Sequence, residues 1–275
     1  MRNFMKELLN RQFDFNQEIL SIDKLFYDIP EYGDCSLYDV IKDNFKRWRY
    51  RSNYISLDQF FSSTGIYNIV DNAEKNLCNI DDFIYYAECI QNLIYFLFNC
   101  ISEAEYYLRE NKKIIFENIN NIIESSNLQL KYLKEKECFV IIPDKWKVNE
   151  SVNIIKNQYS LGEKILLYYH NSMRGKLFDK ADILCRFYKA FEDKYRNQLN
   201  ANGYKNIASD IGFLSDKLDV RHAPSKNEKK ILDDMSKEEL ENWYDKLFNL
   251  YLDTLILCDH IETHKEINDL KLKLK

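Results

Sequence analysis

Residues 236–261 read SKEELENWYDKLFNLYLDTLILCDHI. Ser236 and Glu239 have the spacing at which a hydroxyl and a carboxylate cap a helix start reciprocally. Leu240, Trp243, Leu247, Leu250, Thr254, Leu257 and Ile261 then recur every three or four residues, the period of one face of an α-helix. At ~1.5 Å per residue this helix is on the order of 40 Å long. The same period appears upstream. Val152, Ile155, Tyr159, Leu166 and Tyr169 share a face, as do Leu177, Ala181, Leu184, Tyr188, Phe191, Tyr195 and Leu199. After the turn signal Asn200-Ala201-Asn202-Gly203, Ile207, Ile211, Leu214 and Leu218 mark a shorter helix. Four amphipathic helices with short connections predict an antiparallel four-helix bundle over residues 150–275.

Composition agrees with a mainly α protein. The chain has 275 residues, with only 6 Gly and 3 Pro, too few for the tight turns of an all-β fold. The 20 Tyr accompany abundant Asn, Lys and Ile, a bias that A/T-rich codons produce, and carry no functional weight. Net charge is −5, which disfavours a broad nucleic-acid platform. From Glu150 onward 21 basic residues balance 21 acidic ones, so the acidic excess lies in the first 149 and the second half has room for a local basic patch.

Residues 1–146 read as an N-terminal helical domain, sensory or regulatory. Helices are expected over about Arg2–Leu25, Ser36–Arg51, a short one opened by Ser56 and stopped at Gly65, Ile80–Lys112 and Ile114–Ser125. Around 127–142 the pattern changes. Leu128-Gln129-Leu130-Lys131-Tyr132 alternates with period two and Cys138-Phe139-Val140-Ile141-Ile142-Pro143 is rich in β-formers, which predicts one β-hairpin. Pro143–Asn149 reads as a polar joint. The segment 83–101 is greasy but broken by Glu88, Gln91, Asn92 and Asn99, so it predicts a buried helix rather than a membrane span. Seven Cys without a C-x-x-C pair, and an N-terminus without an apolar signal core, lead us to expect a cytoplasmic protein with no membrane partner.

The chemistry concentrates at Asp219-Val220-Arg221-His222-Ala223-Pro224, a polar break between the third and fourth bundle helices. Arginine keeps its charge and clamps phosphate, and histidine titrates near neutrality. A helical bundle with Arg and His in this loop resembles the HEPN superfamily, in the form found in abortive-infection (phage-defence) proteins. The residues that carry the resemblance are Gly175-Lys176-Leu177-Phe178-Asp179-Lys180, Phe191-Glu192, and Leu218-Asp219-Val220-Arg221-His222 before the Tyr244–Leu257 helix. It covers Ser151–Glu262, under half of the chain. The resemblance implies metal-independent RNA cleavage without a cofactor, by a homodimer formed through the C-terminal bundle. It also implies a toxin-like role, with a phage-derived or antitoxin partner.

Carried over, Arg221 matches the family arginine as phosphate clamp, and His222 matches the polar position after it as proton-transfer group. The family places its His after the Arg with four to six residues between them. Here those positions hold Lys226, Asn227 and Glu228. This departure leaves three readings: His222 substitutes, Lys226 stands in, or the bundle is a catalytically inactive binding or regulatory module of a defence or toxin–antitoxin system. Asp219, Lys226, Asn227 and Glu192 are candidate supporting residues. Without catalysis, Arg221 would pair with Asp219 or Asp216.

Other motifs are weaker. Lys46-Arg47-Trp48-Arg49-Tyr50-Arg51 interleaves cations with aromatics, so Arg47, Trp48, Arg49 and Arg51 are candidate RNA contacts. The competing reading packs Trp48 inward with solvated arginines. His260 and His264 have a zinc-compatible spacing but no evident third ligand, so no metal site is expected. No P-loop, Rossmann glycine motif or nucleophile elbow is present.

Overall fold

A computed structural model describes residues 14–49, 51–100, 108–221 and 235–274. The protein is mainly helical, with one two-stranded antiparallel sheet. The chain divides into two compact units, residues 1–141 and 142–275.

In the first unit, α1 (Phe15–Tyr27) begins at Asp14, whose carboxylate accepts the Asn16 and Gln17 amides. The part of the expected first helix before Asp14 lies outside the described residues. α2 (Leu37–Asn44) carries a complete capping box, Ser36 with Asp39. Where one helix to Arg51 was expected, the chain tightens into a 3₁₀ turn (Phe45–Arg47) and becomes extended at Trp48. The reason is packing. A three-residue period stacks Phe45 and Trp48 on one side, both buried, and the Arg51 guanidinium satisfies the released carbonyls of Lys46 and Tyr54. α3 (Leu57–Thr64) is capped by Ser56 and ends at Gly65, whose φ of 80° turns the chain into α4 (Ile66–Glu74).

α5 (Ile80–Cys100) is the axis of this unit. Ile90, Leu93, Ile94 and Leu97 are fully buried in a core shared with Ile19, Ile22 and Phe26 of α1. α6 (Leu108–Ser125) adds Ile115, Ile119, Ile122 and Ile123. Lys112 therefore belongs to α6 rather than to the end of α5, as the sequence had suggested. β1 (Leu128–Leu133) and β2 (Cys138–Pro143) form the expected hairpin. Two polar side chains of α5 hold it: Asn92 exchanges both hydrogen bonds with the Phe139 backbone, and Glu88 accepts the Ile141 amide.

In the second unit, α7 (Trp146–Ile154) starts inside the stretch read as a polar joint. α8 (Tyr159–Tyr169) and α9 (Leu177–Ala190) follow. Where one regular helix was expected over 177–199, the chain passes through a π-helical turn (Phe191–Tyr195) into α10 (Arg196–Ala201). α11 is Lys205–Lys217 and α12 is Lys237–Lys273, 37 residues and so about 55 Å long. α12 packs against α7, α9, α11 and the π-turn. Surrounded in this way, it buries a wider arc than the single stripe predicted. Tyr244, Phe248, Tyr251 and Leu255 are buried, while Trp243, Leu250, Leu257 and Ile261 lie at its margins. Among the described residues no helix is long and apolar enough to cross a membrane.

A buried charge ties α9 to α12. Lys180, 5% exposed, places its ammonium 2.8 Å from both Glu241 and Asp245, over the Tyr168 ring. Tyr168 donates to Asp245 (2.9 Å) and stacks on Phe248 at 3.8 Å between ring centroids. Burial by itself would raise the Glu241 carboxyl, but the Lys180 ammonium, the Gly175 amide and the nearby Arg174 charge together hold it below its ordinary range. Lys180→Met is expected to cost on the order of 2–3 kcal/mol in denaturant unfolding, because two carboxylates lose their shared partner. A carboxyl with a lowered folded pKa stabilises above its unfolded pKa and loses that contribution as pH falls. The difference between wild type and Lys180→Met should therefore shrink on acidification below about pH 4.

Candidate functional site

The end of α11 determines where Arg221 sits. Asp219 takes a left-handed conformation (φ 52°), and the Val220 amide returns to the Ser215 carbonyl at 3.0 Å, as in a glycine-type helix cap. Leu218 and Val220 are buried on either side of Asp219, and Ser215 shares a 3.0 Å hydroxyl bond with Tyr251 of α12. The chain leaving α11 is thereby pinned, and Arg221 follows directly.

Arg221 does not stand alone. Its Nε lies 2.6 Å from Asp216 Oδ1, an ion pair rather than an aligned hydrogen bond. Its guanidinium sits over the Tyr188 ring at 5.4 Å, and its Nη2 reaches the Gly212 carbonyl at a long 3.5 Å. Arg196 arrives from the other side, paired with Glu192 at 2.6 Å and lying over Phe191. Gly212 marks where the two meet. A β-carbon there would stand 2.9 Å from Arg196 Nη2 and 3.7 Å from Arg221 Nη2. Two guanidinium groups thus converge over one point of α11, flanked by two carboxylates and a tyrosine. All four ionic side chains keep between about a third and a half of their surface open.

Burial raises the Tyr188 hydroxyl, and its hydrogen bond to Glu192 and that carboxylate's charge raise it further, against the opposing pull of Arg221 and Arg196. Tyr188 therefore stays protonated at neutral pH and serves as a donor. Two arginines with a neutral donor recognise a phosphate or carboxylate through charge-assisted hydrogen bonds.

Of the residues singled out in sequence, Arg221, Asp219, Asp216 and Glu192 fall in or beside this cluster. Asp219 is committed to the turn, Asp216 to Arg221 and Glu192 to Arg196. His222, Lys226 and Asn227 lie outside the described residues. Arg196, Tyr188 and Gly212 were not singled out. The first two had a signal in the spacing of Tyr188, Glu192 and Arg196, four residues apart each time. His260 and His264 are exposed on α12, and among the described residues no group of three or more His, Cys, Asp or Glu is placed to hold a metal.

The Arg-rich segment lies in the first unit. Trp48 is 8% exposed and packs edge-on at 5.3 Å against Phe60, so most of its ring is withdrawn from the surface. Arg47 meets Asn44, Arg49 pairs with Glu137 at 2.8 Å, and Arg51 binds backbone carbonyls.

The turn geometry has a direct test. Asp219→Gly removes the cost of a left-handed non-glycine residue and should leave thermal stability unchanged or raise it by a few degrees. Asp219→Val should lower it by about 1–2 kcal/mol. Comparison with known proteins finds no matching family model, no matching curated protein and no matching solved structure.

Proposed function

We propose that the second unit is a HEPN-type, metal-independent endoribonuclease, acting as a toxin-like effector in bacterial defence against phage. The observation that carries the reading is the convergence of Arg196 and Arg221 over Gly212. A pair of guanidinium groups fits the two non-bridging oxygens of one phosphodiester and stabilises the charge that builds there as bonds change. His222, next in sequence to Arg221, supplies the proton transfer. The RNA 2′-hydroxyl attacks phosphorus as His222 takes its proton, the bond to the 5′-oxygen breaks, and the leaving oxygen receives that proton back from the His222 imidazolium. Tyr188 donates within the anion site.

A homodimer of the bundle belongs to this proposal. Support comes from the last turns of α12 and its C-cap, where Ile267, Leu270 and Leu274 are exposed at spacings of three and four. A helix segment with an uncovered apolar stripe gains stability by pairing. Asp259, Glu262, Glu266 and Asp269, with Lys265 among them, precede Lys271 and Lys273, so two antiparallel copies would set a net acidic stretch against a basic one.

A second reading is favoured by one observation. Both arginines already hold a carboxylate, as in a module that binds an anionic partner without cleaving it. RNA cleavage by the purified chain separates the two. Arg221→Ala and His222→Ala should each lower the rate by at least about 100-fold, and expression of the wild type but not of these variants should arrest growth. Binding retained with no cleavage by the wild type would establish the second reading.

Gly212→Ala is the sharper probe. Alanine favours the helix by about 1 kcal/mol, and the only tight contact is the mobile end of Arg196. Stability should hold or rise while RNA affinity falls about tenfold, because one guanidinium is pushed off the shared point. Equal affinity would place the phosphate elsewhere.

A further inference from the structure

The first unit contains a cavity of about 790 Å³, within the range of small-molecule sites. Its floor is one whole face of α5, from Tyr85 through Glu88, Asn92 and Tyr95 to Asn99. This face is opposite in role to the one that builds the core. Aromatic rings come from separate elements: Trp48 after the 3₁₀ turn, Phe60 of α3, Phe96 of α5 and Tyr132 of β1. Their arrangement is fixed. Trp48 packs on Phe60 (5.3 Å) and Phe96 (6.4 Å), and Tyr95 packs on Tyr132 (5.4 Å) with a 3.2 Å hydroxyl contact.

The wall polarity is specific. The lining is mainly apolar, yet three cations border it: Arg47, Arg49 and Lys136. The two acids present have defined duties. Glu88 accepts the Ile141 amide, and Glu137 holds Arg49 at 2.8 Å, joining the 3₁₀ segment to the hairpin turn. Arg47 and Lys136 are both exposed. A cavity of rings beside cations matches one ligand chemistry, a flat aromatic system that stacks within and an anionic group that meets the cations.

We infer that this cavity is a binding site for a planar aromatic small molecule carrying an anionic group. The segment 46–51, whose alternation of cations and aromatics invited a nucleic-acid reading, serves here to build the cavity: Trp48 supplies wall, while Arg47 and Arg49 supply charge. The site is independent of the Arg196–Arg221 cluster and of its proposed chemistry.

Two fluorescent probes test this on the full chain. 1-Anilinonaphthalene-8-sulfonate has the rings and the anion, and N-phenyl-1-naphthylamine has the rings alone. The sulfonate should bind saturably at one site per chain. The doubly reversed Arg47→Glu/Lys136→Glu chain should weaken it by about tenfold or more while leaving the neutral probe unchanged. Tyr132→Ser should weaken both. These three positions lie on the surface or at the cavity wall, and circular dichroism would confirm that the variants fold. Absence of saturable sulfonate binding, or binding indifferent to charge reversal and to Tyr132→Ser alike, would overturn the inference.

Discussion

Bringing two guanidinium groups to one point of a helix is unfavourable unless their charge is answered nearby. Here Glu192 and Asp216 each lie 2.6 Å from one of them. Two further constraints set the place. Gly212 has no β-carbon, so the Arg196 guanidinium can lie against the α11 backbone. The left-handed turn at Asp219 ends α11 abruptly enough that Arg221 points back along the helix it has just left. The same carboxylates that permit the pairing also occupy the arginines, so under the proposed function a phosphate would bind by exchange of partners.

The helical class was legible because its signals are local. Ser36, Ser56 and Ser236 cap the helices they were expected to open, and the change from a period of three and four to a period of two located the hairpin. Helix interiors were harder to read. α12 packs on several neighbours, so burial spreads beyond the stripe that an isolated helix would show. The π-turn at Phe191–Tyr195 leaves no mark in the order of apolar residues, because Phe191 and Tyr195 remain buried through it. The break after α2 comes from Phe45 and Trp48 sharing a side, a tertiary preference that spacing alone does not reveal.

The candidate site was legible in part. Arg221 drew attention by its position in a polar break, and Asp216 was one of two acids weighed as its partner. Arg196 was marked only by its four-residue spacing from Glu192, and Gly212 looks like an ordinary helix glycine. Only the crossing of α10 and α11 brings them together. The α5 cavity was hidden for a related reason. Glu88, Asn92 and Asn99 were read as interruptions of an apolar helix, whereas two of them anchor the hairpin and all three line one continuous face.

The most direct measurement of the central claim is the chemical identity of the ends left on cleaved RNA, read by mass spectrometry with chelator present throughout. Attack by the 2′-hydroxyl at a phosphate held by Arg196 and Arg221 predicts a 2′,3′-cyclic phosphate on one fragment and a 5′-hydroxyl on the other, both lost in Arg221→Ala. Fragments ending in 3′-hydroxyl and 5′-phosphate, or the same products from Arg221→Ala, would contradict the account.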